Sequence, residues 1–332
     1  MRLLFLSNFY PPHGEGGYEQ LCREVAHRMA GRGHAVMVLA SAGAPVEAPD
    51  GPVLVRRALA LEVEGGLAQT AARLAGGGRA ASERRGVAAV ERAVDEFAPE
   101  AALVWGMWNV PRVVPAAVER LLPTAYYLCD YWPALPDAYV ERLQAPSRGA
   151  LGRWPKRLLA AAFLRRLPAE PRVSPAYHHV ACVSEAIRDI LCARGIDCSR
   201  VAIIRNGISL SDFADGGSER PRDDAPLRLV YAGRVTPDKG AATAVDALAL
   251  LEARSRGMAH LSIYGDGDAG YLNTLSKRVS AARLPVTFHG FVPRDAMPAA
   301  LARETVLILP SMVAEALPRV MLEAMAAGLV VV

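Results

Sequence analysis

The sequence has no long hydrophobic run and few aromatic residues. It contains no stretch of about 20 apolar residues, the length that a membrane-spanning helix needs. Only 6% of its 332 residues are aromatic, although 52% are hydrophobic. The apolar run over residues 3–6 is too short for the core of a signal peptide and leads into a turn. We therefore expect a cytoplasmic chain that is long enough to bury two hydrophobic cores.

Cysteine is scarce and follows no recognisable spacing. The five cysteines are odd in number and show neither CxxC nor zinc-ligand spacing: Cys22, Cys129, Cys182, Cys192 and Cys198. This pattern favours free thiols in a reducing compartment over disulfides or a structural metal.

Neither sign of charge dominates, because the sequence has 38 Lys and Arg and 34 Asp and Glu, which gives a net charge of +4. This excess suits an anionic substrate or an anionic membrane surface and is too small to indicate nucleic acid. Residues 154–167 have the pattern of a basic amphipathic helix. They predict peripheral contact with an anionic membrane face, and a solvated helix on its own domain is the alternative.

Short apolar runs alternate with longer amphipathic stretches, as buried parallel strands alternate with helices. The runs are 3–6, 35–40, 101–105, 125–128, 180–183, 201–204, 227–232, 260–264, 286–289, 306–309 and 329–332. They predict an α/β protein with two Rossmann-like doubly wound domains, residues 1–212 and 227–332, and a linker over 213–226. Ligands of such sheets bind beyond the carboxyl ends of the strands, so two facing sheets would form a cleft.

The first run is followed by a glycine loop and a helix. Gly14, Gly16 and Gly17 would let the backbone approach a phosphate or a sugar closely, and a simple turn is the alternative. Their spacing is not GxGxxG, and the second run ends at Ser41 rather than at an acid that would bind a ribose hydroxyl. NAD is therefore disfavoured.

Two cations follow the first strand of the second domain. Arg234 and Lys239 lie five residues apart, and such a pair could neutralise a diphosphate leaving group. Isolated surface cations are the alternative. Asp266 and Asp268 have the spacing of a divalent-metal site, but a glycine turn and a helix N-cap explain them better. No metal is therefore expected.

Two carboxylates bracket a predicted helix start near the C-terminus. Pro318 suits a first helical position and Gly328 a C-terminal cap, which places Glu315 in the preceding loop and Glu323 on the second turn. A helix N-terminus favours phosphate, and carboxylates accept hydrogen bonds from sugar hydroxyls. The arrangement suits a nucleotide-sugar, and two ordinary surface acids are the alternative.

Aromatic residues cluster where the middle strands end. Trp108 and Trp132 lie in sequence near Asp130, and aromatic faces beside a carboxylate suit a sugar acceptor. Core packing is the alternative, and it explains at least Trp105 and Tyr127.

Taken together, these segments resemble the family 4 glycosyltransferases of the GT-B fold over nearly the whole chain. The family's motifs are matched in order by residues 11–17, 33–36, 183–188, 205–208, Arg234 with Lys239 and Gly240, and Glu315 with Glu323.

The resemblance implies transfer of a sugar from a nucleotide-sugar donor to a saccharide or lipid-linked acceptor, as in bacterial polysaccharide or cell-envelope assembly. Transfer would occur with retention and without a metal or other cofactor. The resemblance places Arg234 and Lys239 on the donor diphosphate, Glu315 near the donor sugar and Glu323 on the ribose.

The resemblance also extends the donor site, with Gly16 and Gly17 from the first domain and Leu317 and Arg319 from the second. Cys129 departs from the family, because many members carry a histidine there that touches the donor sugar. Cys129 therefore joins Asp130, Trp108 and Trp132 among the acceptor-side candidates.

The chain ends after the run 329–332, where members continue, so it resembles a C-terminally truncated enzyme with a partial second domain. Two other functions stay open: a relative that binds a nucleotide-sugar without turnover, and a sugar-nucleotide epimerase of the same fold.

Overall fold

A computed structural model describes residues 1–13, 16–41, 46–62, 77–135, 161, 173–213, 226–255 and 257–332. The chain divides into two compact units, Met1–Arg205 and Asn206–Val332. Residues 206–212, assigned to the first domain from the sequence, group with the second unit. The predicted linker lies outside the described residues except at its two ends, as does the predicted basic helix except at residue 161.

The first unit is built on a sheet that has eight strands among the described residues, in the order β3-β4-β2-β1-β5-β6-β7-β8. The strands are β1 (Arg2–Leu6), β2 (Ala35–Ser41), β3 (Val46–Asp50), β4 (Val53–Leu59), β5 (Ala101–Val104), β6 (Thr124–Leu128), β7 (Val180–Cys182) and β8 (Ala202–Ile203). The helices are α1 (Gly17–Gly31), α2 (Gly78–Phe97), α3 (Val113–Leu121) and α4 (Glu185–Cys192). All described pairings are parallel except that of β3 with β4.

The second unit contains a five-stranded parallel sheet in its described part, in the order β11-β10-β9-β12-β13. Its strands are β9 (Leu227–Ala232), β10 (Ala259–Tyr264), β11 (Val286–Gly290), β12 (Val306–Leu307) and β13 (Val330–Val331). Its helices are α5 (Ala241–Arg254), α6 (Ala269–Ala282), α7 (Met297–Leu301) and α8 (Arg319–Ala326). The predicted α/β class with two parallel sheets is confirmed.

Every predicted apolar run contains a strand, and β1, β2 and β9 bury consecutive side chains, as expected of parallel strands that helices cover. The β3–β4 hairpin was not predicted. In β4, buried side chains alternate with partly exposed ones, the pattern of an edge hairpin rather than of a buried parallel strand. Gly51 takes a φ of +59° in the two-residue turn between these strands.

The prediction of five free thiols was wrong, because Cys192 and Cys198 form a disulfide with a Cα–Cα distance of 5.7 Å. Cys192 is the last residue of α4, and the loop that follows brings Cys198 back beside it. Their spacing matches no motif, so the pairing depends on the helix end and could not be inferred from the sequence. Cys22, Cys129 and Cys182 are free thiols.

A carboxylate at the β3–β4 turn joins this hairpin to α1 and to the loop after β1. Asp50 accepts hydrogen bonds from Arg23 Nε and Nη2 at 2.7 and 2.9 Å and from Tyr10 Oη at 3.0 Å. His27 Nε2 lies 2.8 Å from Asp50 Oδ2. The hydrogen bonds from Arg23, and then those from His27 and Tyr10, hold the pKa of Asp50 well below its usual value.

Asp50→Asn is expected to lower the free energy of unfolding at pH 7 by about 1–2 kcal/mol, because it removes the charge from this network. Because the pKa of Asp50 is depressed in the folded state, its ionised carboxylate stabilises the fold above the unfolded-state pKa near 4. This stabilisation is lost as the pH falls further. The deficit should therefore shrink between pH 5 and pH 3, measured by urea unfolding. The exposed control Asp189→Asn should change stability by under about 0.5 kcal/mol. An equal deficit at both pH values would contradict the assignment.

No helix within the described ranges combines the length and apolar character needed to cross a membrane.

Candidate functional site

The loops that follow β9, β10 and β12 are joined at the carboxyl edge of the second sheet. Gly233 N donates to Tyr264 O at 3.0 Å, and Val235 N donates to Asp266 O at 2.8 Å. Met312 N donates to Asp238 O at 2.9 Å. This is the edge where parallel α/β sheets bind ligands, and its backbone is fixed by these bonds.

Gly240 allows two of these loops to pack closely. It takes a φ of +73° after the 3₁₀ turn Pro237–Lys239 and precedes α5. A Cβ at this position would overlap the carbonyl oxygen of Pro310 in the loop after β12. Only glycine satisfies both conditions.

Lys239 and Glu315 meet across these loops. Lys239 Nζ lies 2.5 Å from Glu315 Oε1, and Ser311 Oγ donates to the same oxygen at 2.6 Å. The Lys239 and Glu315 side chains are 24% and 31% exposed, so this ion pair is partly accessible to a ligand. Ser311 was not predicted as a site residue, although the sequence shows that it lies four residues before Glu315 in the same loop.

Arg234 follows β9 and is exposed. Its carbonyl oxygen accepts a hydrogen bond from Tyr231 Oη at 2.6 Å, which fixes its backbone at the start of the turn. The nearby Thr236 side chain lowers the pKa of Asp238, and the positive charges of Arg234 and Lys239 lower it further. The turn therefore carries two cations, Arg234 and Lys239, of the kind that bind anions.

Glu323 lies on the second turn of α8, as predicted, and the helix begins at Arg319, one residue later than predicted, with Pro318 as its N-cap. Glu323 is not an ordinary surface acid. Its Oε1 lies 3.7 Å from Arg319 Nε, and the two side chains are only 14% and 9% exposed. Asn206 Nδ2 donates to the Leu317 carbonyl at 3.4 Å just before the helix. Gly328 follows the C-cap Ala327 and takes a φ of +82°, the left-handed conformation with which many helices end.

The Asp-x-Asp segment has the capping role that the sequence predicted. Asp268 Oδ1 accepts from the backbone amides of Gly270 and Tyr271 at 3.0 and 3.2 Å, which makes it the N-cap of α6. Asp266 Oδ1 accepts from the amide of Gly267 at 2.7 Å. Both carboxylates already serve the local backbone.

The first unit places several predicted residues at the carboxyl edge of its own sheet. Gly16 is the N-cap of α1 and Gly17 its first residue, while Gly14 lies outside the described residues. Tyr18, which was not predicted as a site residue, donates from its hydroxyl to the Tyr127 carbonyl. A Cβ on Gly106 would lie 2.7 Å from the Tyr18 ring, so the glycine makes room for this ring.

The four acceptor-side candidates differ in exposure. Trp108 is 41% exposed, and Cys129 and Asp130 are partly buried. Trp132 is only 3% exposed, and its ring centroid lies 6.1 Å from that of Tyr177. Trp132 therefore belongs to the packed interior, whereas Trp108 offers an aromatic surface.

Burial is the main cause that raises the pKa of Asp130 to about 6; the hydrogen bond that Asp130 Oδ1 accepts from Trp132 N at 3.1 Å opposes the shift, and the nearby charge of Glu19 adds to it. A carboxyl whose pKa is raised in the folded state makes its full contribution to stability below the unfolded-state pKa near 4, where it is neutral in both states. That contribution disappears as the pH rises from about 4 to about 6. Above pH 6 the charged Asp130 therefore makes the folded state less stable.

Asp130→Asn is accordingly expected to raise the free energy of unfolding at pH 7 by about 1–2 kcal/mol, because the amide keeps the acceptor for Trp132 N and carries no charge. The gain should be absent at pH 4. All four tryptophans lie before residue 206, so tryptophan fluorescence during urea unfolding reports on this unit. The exposed control Asp95→Asn should have little effect. A loss of stability at pH 7 would contradict the prediction.

Two family models match the chain. The model described as Glycosyltransferase Family 4 matches residues 15–212, and the model described as Glycosyl transferases group 1 matches residues 218–332. A search of curated proteins finds no match.

Several solved structures are similar to the chain. HepE of Anabaena in complex with UDP is 20% identical with a TM-score of 0.61, and the match covers 100% of this chain and 80% of HepE. Sucrose-phosphate synthase of Thermosynechococcus elongatus is 16% identical with a TM-score of 0.66, covering 99% and 80%. The lipopolysaccharide outer core galactosyltransferase WaaB is 16% identical with a TM-score of 0.61, covering 100% and 80%. At these identities the likeness shows the GT-B fold alone.

Proposed function

Because the chain belongs to glycosyltransferase family 4, we propose that it transfers a sugar from a nucleoside-diphosphate sugar to a saccharide or lipid-linked acceptor with retention of configuration. The observation that carries the proposal is the accessible Lys239–Glu315 pair at the carboxyl edge of the second sheet, on the turn that also carries Arg234. This group combines cations for a diphosphate with a carboxylate for sugar hydroxyls.

The donor side is assigned to four side chains of the second unit. Arg234 and Lys239 neutralise the charge that grows on the departing diphosphate, which lowers the barrier to its release. Glu315 accepts a hydrogen bond from the donor sugar, and Glu323 accepts from the ribose. Arg319 supports Glu323 through their 3.7 Å ion pair, and the backbone at Leu317 leads the chain into the α8 N-terminus, which favours phosphate.

The transfer itself needs no side-chain base in this proposal. The bond from the sugar's anomeric carbon to the phosphate oxygen breaks while the acceptor oxygen bonds to the same carbon from the same face. The leaving phosphate oxygen takes the acceptor's proton. Atoms and charge balance without a bound metal, and the two cations supply the electrostatic stabilisation.

The acceptor side is assigned to the first unit. Trp108 offers an exposed aromatic face, and Asp130 and Cys129 lie at the end of β6. Acceptors of polysaccharide or cell-envelope assembly fit these groups, and we place the protein in the cytoplasm, with peripheral contact to the membrane for a lipid-linked acceptor.

Structures of HepE contain UDP or UDP-glucose, so UDP-sugars are the first donors to test. The protein should be incubated with UDP-, GDP- and ADP-sugars and with saccharide and lipid-linked acceptors, and the nucleoside diphosphate and glycosylated product followed by mass spectrometry. Lys239→Ala controls for contaminating activity. Product from the wild type alone supports the proposal, and equal product from both proteins or from neither contradicts it.

A second candidate is a nucleotide-sugar-binding relative without turnover. The observation that favours it is Cys129, a partly buried thiol at a position where the family resemblance implies a histidine that hydrogen-bonds the donor sugar. Micromolar binding of a nucleotide-sugar by calorimetry, with no product under the conditions above, would select this candidate.

A further inference from the structure

Glu315 is held through one of its two carboxylate oxygens. Oε1 receives both Ser311 Oγ at 2.6 Å and Lys239 Nζ at 2.5 Å. Over the described ranges, no donor contacts Oε2. One oxygen therefore fixes the carboxylate while the other can accept a hydrogen bond from a ligand.

The two donors on Oε1 have different freedom to leave it. The Lys239 ammonium ends a flexible four-carbon side chain and carries three N–H groups. It can therefore turn to a phosphate when the nucleotide-sugar binds. Ser311 has a short side chain and lies on the same loop as Glu315, four residues earlier. Its hydroxyl can keep Oε1 in place after Lys239 has moved.

The loop that carries Ser311 is itself fixed. Met312 N, the next residue, bonds to the Asp238 carbonyl at 2.9 Å. Pro310, the preceding residue, packs its carbonyl against Gly240. Ser311 therefore stands between two backbone contacts to the turn that carries Lys239, so its hydroxyl can change position only by rotation about χ1. A group on a rigid support orients its partner more accurately than one on a mobile loop.

We propose that Ser311 is a positioning residue for Glu315, holding Oε1 so that Oε2 faces a hydroxyl of the donor sugar while Lys239 serves the diphosphate. This inference rests on the proposed function. In this arrangement Ser311 does not contact the nucleotide. Removing its hydroxyl therefore affects only the hydrogen bond between Glu315 and the sugar. Loss of this orientation should reduce transfer by about 10-fold, since small misplacements of reacting groups are costly.

The test compares Ser311→Ala and Ser311→Thr with the exposed control Ser276→Ala. With the donor that the wild type uses, kcat/KM should fall about 10-fold in Ser311→Ala and recover to within about 3-fold in Ser311→Thr, which restores a hydroxyl. The Kd of the matching nucleoside diphosphate, which has no sugar, should stay within about 2-fold in all variants. Ser311→Cys replaces the alanine variant if the latter melts early.

The possible failures are distinguishable. Wild-type turnover with an unchanged kcat/KM in Ser311→Ala overturns the role of Ser311 and leaves the proposed function standing. Equal losses in kcat/KM and in nucleoside-diphosphate binding also overturn it, because they show a general change in the loop. No wild-type turnover with any donor removes the proposed function and the role of Ser311 together.

Discussion

Replacing Lys239 by alanine is expected to lower kcat/KM by about 10- to 100-fold, because it removes a charge-assisted contact to the diphosphate in the transition state. Arg234→Ala should have an effect of the same order. Lys239 is 24% exposed and Arg234 is exposed, so neither substitution opens a cavity in the core. Steady-state rates of nucleoside diphosphate release measure both effects.

The matched control is Lys277→Ala, which removes one positive charge from the exposed surface of α6. It should leave kcat/KM within about 2-fold of the wild type. Unchanged rates in Arg234→Ala and Lys239→Ala would remove their assigned role. A similar loss in all three variants would show that net charge, rather than local contact, governs the rate.

Replacing Gly240 by alanine is expected to destabilise the second unit by about 3 kcal/mol or more. The added Cβ meets a backbone carbonyl oxygen, which cannot move away as a side chain can, and the positive φ adds strain. Because this overlap pushes the Pro310 loop away from Lys239, transfer should also fail. Circular dichroism during urea unfolding measures the loss of stability.

Gly257→Ala separates the overlap from the strain. Gly257 has a φ of +72°, close to the +73° of Gly240, and a Cβ there meets nothing within 4 Å. Its substitution should cost only about 1 kcal/mol. Tryptophan fluorescence should report an unchanged first unit in both variants, since every tryptophan precedes residue 206. Equal destabilisation by the two substitutions would contradict the role of the Pro310 contact.

The strands of both sheets could be predicted because parallel strands are apolar along their length. The β3–β4 hairpin could not be found in that way, since its strand β4 buries only alternate side chains. The Asp50-Gly51 pair and the alternation after it were the available signals.

The location of the candidate site, in loops that follow strands, could be predicted from the sequence. Arg234, Lys239, Glu315 and Glu323 could be named because their spacing matches a family pattern. The ion pair between Lys239 and Glu315 joins two residues that are 76 positions apart in sequence. No local pattern in the sequence encodes such a contact. The sequence does not show which of Trp108 and Trp132 is exposed. The structure does, because Trp132 packs against Tyr177.

The most direct test of the central claim is calorimetric titration of UDP, GDP and ADP into the wild type, Arg234→Ala, Lys239→Ala and Lys277→Ala. We predict that at least one nucleoside diphosphate binds the wild type and Lys277→Ala with micromolar Kd, about 8 kcal/mol of binding free energy. Binding should weaken about 10-fold or more when either Arg234 or Lys239 is lost. Absence of binding to the wild type, or equal binding by all four proteins, would contradict the account.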